Sequence, residues 1–257
     1  MGRMNQRSRA VWRQQIHTAL VIAKKDAMIY YLKAPVFTFG LIFPIFFFLA
    51  FAIGRAVPAH ALVPGMLAMA LFFTASAVGP LITPLERQAR TWERLVTSPA
   101  SLESILLGDL VAAAGFGLTV SLLPLILGVT ATSARVAAPV QLVVGLLMGA
   151  TAFAALGILL AARATDTPSE VMMLSNLVRL PLIFVSGVFV PLTEMGTWGR
   201  WVAPLSPLSY CADLLRGALG EAQFFSTWLR VVALAAFTAV FLALARFLHA
   251  RQRRRAS

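Results

Sequence analysis

Chemistry at membrane depth or in a protein core needs ionisable groups at workable spacing, and in this chain of 257 residues they are few. The histidines His17, His60 and His249 each stand at or beyond the end of a long apolar run. No HExxH pair or other ligand spacing surrounds them, so neither a catalytic nor a structural metal site is expected. The only lysines are Lys24, Lys25 and Lys33, none of which follows a glycine. The chain therefore carries no G-x-x-x-x-G-K-[ST] loop to cradle nucleotide phosphates and is expected to bind no cofactor itself. Its serines have no histidine or lysine at membrane depth to activate them. Asp109 is the one acid inside an apolar run, which excludes a paired-aspartate protease. Arg179 is its counterpart in another run, and charges so placed are normally paired or line a cavity. Counted from the same side, Asp109 lies about one turn in and Arg179 about two turns in, so the two can meet. Such a pair serves either as a gate or latch, or as a static packing contact, with snorkelling to the interface as the third reading.

The elements that must position these residues follow from composition. Hydrophobic residues make up 59% and charged residues 12%, against about 25% charged in a soluble domain, so the chain reads as a membrane protein. The net charge of +12 sits at the ends of apolar runs and is explained by a bilayer rather than by a nucleic acid. A single cysteine, Cys211, excludes an internal disulfide framework. Crossing the hydrocarbon takes roughly 20 apolar residues as a helix, and six runs qualify: about 35–54, 62–85, 105–129, 140–162, 171–190 and 227–249. The last two are interrupted by Arg179 and Arg230. The expected fold is an all-α membrane protein, divided into a tail over 1–34 and a six-helix transmembrane domain over 35–257. With the N-terminus inside, 16 of the 22 basic residues fall in inner segments. That asymmetry places both termini in the cytoplasm and the chain in the plasma (inner) membrane as a multi-pass protein.

Three stretches between the runs carry information. From Arg9 to Lys33, Trp12, Ile16, Leu20, Ala23, Ala27 and Tyr31 recur at helical spacing, which predicts an amphipathic helix along the inner interface. In the first inner loop, Pro84 can start a helix and Pro99 must end one. Glu86 and Arg90 then stand four apart and Arg90 and Glu93 three apart, so opposite charges become neighbours. Arg87, Thr91, Trp92, Arg94 and Leu95 complete this helix, which either docks a cytoplasmic partner or covers lipid headgroups. Between the fifth and sixth runs, about 193–203 and 207–219 are semi-apolar pieces too short to cross. Ser206 and Pro207 form an N-cap and first-turn pair, Gly220 is a stop, and Trp198 and Trp201 suit the outer interface. The stretch predicts a re-entrant hairpin of two short helices in the outer leaflet.

This arrangement resembles the permease subunit of ABC-2 type exporters, the family of daunorubicin-resistance-type drug exporters and of polysaccharide and teichoic-acid exporters. The resemblance covers nearly the whole chain. Its most specific parts are LVPGMLAMALFF from Leu62, ERQARTWERLVTSPASLESILLGDL from Glu86, and FVSGVFVPLTEMGTWGRWVAPLSPLSYCADLLR from Phe184. The family's coupling segment has the form G-T-x-E-x-L-x-x-x-P-x-S; Thr91, Glu93, Leu95, Pro99 and Ser101 match it, with Arg90 in place of glycine. The later pattern, S-G-x-x-x-P then N-P-x-x-Y-x-x-D-x-x-R, is met by Ser186, Gly187, Pro191, Pro207, Tyr210, Asp213 and Arg216, with Ser206 in place of asparagine.

The resemblance implies a dimer with a second permease copy or paralogue. Each copy would bind a cytoplasmic P-loop ATPase subunit that carries ATP and Mg, two in all, and the helix from Glu86 to Val96 would transmit its motion. The permease itself would then be no enzyme. A path lined by Phe46, Phe47, Phe48, Phe72 and Phe73 would suit an amphipathic or lipophilic substrate such as a drug, a lipid or a lipid-linked glycan, while the other reading has these rings facing lipid. Membrane lipid is a partner in either case and nucleic acid is not. The rival functions are an ATP-independent carrier or channel and a membrane scaffold without transport.

Overall fold

The computed structural model describes residues 17–25, 58–88, 101–162 and 167–256, with a few isolated positions before residue 58. Among the described residues every regular element is helical and none is a strand. A short N-terminal helix, α1, covers 17–25. It is followed by α2 (Ala59–Gln88), α3 (Leu102–Ala131), α4 (Pro139–Ala161), α5 (Pro168–Val185), α6 (Thr197–Val202), α7 (Pro207–Ala218) and α8 (Thr227–Ala256), with a single 3-10 turn, Ala203–Leu205, between α6 and α7.

Four of these are long and apolar enough to cross a membrane: α2, α3, α4, and Thr227–Arg251 of α8. The expected run at 35–54 falls outside the described residues apart from isolated positions. The expected run at 171–190 is a helix of 18 residues that stops at Val185, five residues early. It stops because the chain turns there. Ser186 Oγ donates back to Ile183 O (2.6 Å), and Gly187 takes a φ of 76°, a conformation that strains a residue with a Cβ.

The helix ends follow ordinary capping chemistry. Ser101 Oγ accepts from Ser104 N (3.1 Å) and Glu103 lies in the first turn of α3, so a hydroxyl and a carboxylate meet the helix's positive end. Pro139 and Pro168 open α4 and α5, where a missing N–H costs nothing. One expectation is overturned at Pro84. Instead of starting a separate loop helix, it lies inside α2 together with Pro64 and Pro80. The hydrogen bond that Pro84 cannot make is offset by packing, since Ile82, Thr83, Pro84 and Glu86 are all buried at this end of the helix.

Helix α2 is the axis of the bundle, its residues from Val63 to Pro80 buried without a break. Around it pack α3, α4, α5 and α7, while α8 lies outside, against α4 and α7. Glycine allows two helices to meet backbone to backbone. Pro80 has no N–H to give Ser76 O, and that carbonyl instead comes so near Gly157 that a Cβ there would sit 2.6 Å from it. A Cβ on Gly79 would likewise sit 2.7 Å from Gly157 O, so α2 and α4 cross backbone to backbone. Beside this crossing Phe72 meets Phe153 edge to face, with centroids 5.0 Å apart. Phe72 and Phe73 therefore belong to the packed core and neither line a path nor face lipid. Phe46 is exposed, and Phe47 and Phe48 lie outside the described residues.

The GxxxG of α4, Gly145 and Gly149, receives α7. Leu214 and Leu215 lie over Gly145, and Cys211 over Gly149. Gly149 stands ten residues inside α4, about 15 Å along its axis. Helix α7 thus runs antiparallel to α4 from its Ala218 end, which receives Ala137 N (2.9 Å) and Ala138 N (3.0 Å), to a depth of several turns.

Candidate functional site

Polar and charged side chains gather at the two ends of the bundle. At the end where α2 begins, all twelve residues of α7 are buried, including Asp213 and Arg216. A buried carboxylate must have its lone pairs filled. Asp213 Oδ1 accepts from Phe224 N (2.9 Å) and Oδ2 from Phe225 N (3.0 Å), while Arg230 Nη1 stands 3.5 Å from Oδ2. Arg230, in the first turns of α8, also donates to the carbonyl of Asp213 (2.9 Å), to Thr227 Oγ1 (2.9 Å), to the Gln223 carboxamide and, through Nε, to Ser226 O (3.3 Å).

Arg216 Nη2 donates to Gly187 O (3.0 Å) and Val188 O (3.4 Å), reaching the turn that ends α5. Val188 O in turn lies against Gly65 of α2. Burial holds the Arg216 guanidinium below its ordinary range, against the opposing pull of Asp213, Glu221 and Glu194. It remains a cation at any working pH. Gln141 Nε2 caps the carbonyl of Leu214 (3.0 Å), and Tyr210 Oη donates to Pro204 O (3.2 Å) while its ring stacks on Phe225 with centroids 4.8 Å apart. Ser206 stands at the N-cap position of α7, but its hydroxyl does not cap the helix. It donates to Leu182 O (3.0 Å) and ties the start of α7 to α5.

Of the residues expected in this region, Gly187, Asp213 and Arg216 belong to one network, with Pro207 and Tyr210 on the same short helix. Trp198 and Trp201 stand apart from it, 70% and 79% exposed on α6. The α6 segment is held by Arg200, which donates to Thr193 O (2.6 Å) and lies over the Phe224 ring. Arg230 and Gln141 were not among the expected residues. The signal for Arg230 was its place, one turn into an apolar helix and next to Gln223, Ser226 and Thr227.

The opposite end joins α1 to the bundle. Ile22 and the carbonyl of Ala19 press on Gly108 of α3, where a Cβ would meet them at 2.8 and 2.9 Å. Lys25 pairs with Glu86 in the last turn of α2. Across the same end, Arg246 Nη2 of α8 reaches Glu103 Oε1 of α3 (2.9 Å) on the surface. Of the expected coupling residues, Glu86 and Arg87 are on α2, and Arg90, Thr91, Trp92, Glu93, Arg94 and Leu95 lie outside the described residues. Asp109 is half-buried on α3 and Arg179 fully buried on α5, two helices that both pack on α2.

The sequence model of the ABC-2 type transporter family matches residues 18–219, from α1 to just past the end of α7. The chain belongs to the ABC-2 type transporter family. No curated protein matches it. Family membership makes the apolar bundle a membrane domain of an ABC-type transporter, a subunit type that is generally not catalytic itself. The match takes in both ends described above: α1 with Glu86 at one, the Asp213 network at the other.

Proposed function

We propose that this chain is the permease subunit of an ATP-driven ABC-2 type exporter. It works as a dimer, each copy on a cytoplasmic P-loop ATPase that holds ATP and Mg, and moves an amphipathic or lipophilic substrate out of the cytoplasm or the inner leaflet. The observation that carries this reading is the family match over 18–219. Supporting it is the junction where Lys25 of α1 meets Glu86 of α2, at the threshold of the loop that would receive the ATPase.

In this reading 35–54 and α5 complete six spans, and both termini are cytoplasmic because the inner segments hold most of the arginines and lysines. Helices α6 and α7 form a re-entrant hairpin from the outer face. The depth of Cys211 against Gly149 favours it, and so does the burial of all of α7, since irregular backbone at membrane depth needs protein cover. ATP-driven closure of the ATPases would push on the loop after Glu86, and the push would favour one state of the bundle over another. An ion-coupled carrier is disfavoured because Asp109 is the single acid placed well inside a candidate span.

Purification with a candidate ATPase tests the reading. The expected result is a stable complex whose substrate-stimulated ATP hydrolysis falls when Arg90, Glu93 and Arg94 are replaced together by alanine. A chain that binds no ATPase, and whose transport phenotype ignores those replacements, overturns it.

A further inference from the structure

Both ends of the bundle carry side-chain contacts between helices. Where α2 ends, the contacts among the described residues include Lys25 on Glu86, Ile22 and Ala19 against Gly108, and a surface pair between Glu103 and Arg246. Where α2 begins, α7 is gripped on every side. Its carboxylate Asp213 holds the 224–225 backbone and the Arg230 guanidinium, and Arg216 holds the turn at 187–188. Its last carbonyls receive Gln141 and the backbone of 137 and 138, and Cys211 is seated without solvent contact over Gly149. Releasing α7 would strand a buried carboxylate, two buried guanidinium groups and several backbone carbonyls together.

We propose that α7 stays fixed to α4 and α8 throughout the transport cycle, with Asp213 as the positioning residue that latches it. The motion that transport requires is then confined to other parts of the bundle. Helix α7 is a wall of the bundle and not a gate. This inference rests on the transport reading, since it concerns what moves during turnover.

The chain carries its own probe, because Cys211 is its single cysteine and is wholly buried beside the latch. The measurement is the rate at which N-ethylmaleimide labels Cys211, read by intact mass and referenced to the SDS-denatured chain. In the complex with its ATPase, labelling during ATP hydrolysis is expected to be no faster than without ATP. Acceleration during hydrolysis would overturn the fixed-wall proposal.

For the purified permease alone, Asp213→Asn, which puts an amide donor among three donors, is expected to label at least about tenfold faster than the unmodified chain. Equal rates would remove Asp213 as the latch. Should that variant not fold, Gln141→Ala removes the bond to Leu214 O and the packing on Gly217, and a several-fold acceleration is expected, with unchanged labelling counting against the proposal. A permease that supports no ATP hydrolysis with any partner contradicts the transport reading instead, and the comparison on the permease alone still decides the latch.

Discussion

Arg230 holds Asp213 twice: its Nη1 lies 3.5 Å from the carboxylate Oδ2 and 2.9 Å from the backbone carbonyl of the same residue, and both side chains are almost without solvent contact. One guanidinium therefore fixes both the charge and the chain direction of α7 from the first turns of α8. Asp213 and Arg216, three residues apart on α7, thus act as joints between this helix and its neighbours.

Removing one member should be costly. Asp213→Ala leaves Arg230 buried without its counter-charge and the amides of Phe224 and Phe225 without acceptors. A loss of about 3–5 kcal/mol is expected in denaturant unfolding of the detergent-solubilised protein. Replacing both partners by apolar residues, Asp213→Leu with Arg230→Met, should recover part of that loss. A double variant as unstable as the single one would mean that the pair is not what holds α7.

The α2–α4 crossing predicts a contrast between glycines. A methyl at Gly157 would stand 2.6 Å from Ser76 O, and backbone on both sides cannot yield, so Gly157→Ala should destabilise by about 1–3 kcal/mol. Gly115 of α3 has nothing within 4 Å of its would-be Cβ, and Gly115→Ala should be neutral or stabilise by up to about 1 kcal/mol through helix propensity. Thermal melts of the two variants side by side check this.

Cys211 predicts a crosslink. The Cβ position of Gly149 lies 3.5 Å from Cys211 Cβ, within the span of a disulfide. Gly149→Cys should therefore lose both free thiols on mild oxidation, as counted by thiol titration after denaturation. Two titratable thiols after oxidation would place α7 elsewhere. In the unaltered chain burial pushes the Cys211 thiol well above its usual range, so labelling under native conditions should be negligible.

At the far end the two ion pairs should differ. Glu103 and Arg246 are both more than half exposed, and Glu103→Gln should change stability by less than about 1 kcal/mol. Glu86→Gln removes the partner that ties α1 to α2, and amide exchange over 17–25 should quicken while the apolar core exchanges as before. Unchanged exchange in that segment would show that this ion pair does not hold α1.

Much of the helical layout was legible because apolar runs set it: the extents of α2, α3, α4 and α8 follow runs such as Val140 to Ala162. The amphipathic spacing before Lys33 likewise marked α1, and Pro207 with Gly220 marked α7. What sequence did not show was partnership. Pro84 reads locally as a helix start, and only the burial of Ile82 and Glu86 against the bundle carries α2 past it. Ser206 reads as a cap, yet its hydroxyl goes to Leu182 because α5 ends beside it. Phe72 and Phe73 have the composition of a path lining, but their depth in the central helix makes them core. Arg230 looked like a flaw in an apolar run, since its carboxylate lies 17 residues upstream in another helix.

The transport reading stands most directly on one measurement: movement of a fluorescent amphipathic compound across proteoliposomes that contain the permease and its ATPase. Accumulation should appear with ATP and Mg, vanish when the ATPase is omitted, and be indifferent to an imposed proton or sodium gradient. Transport that follows the ion gradient and ignores ATP would contradict it.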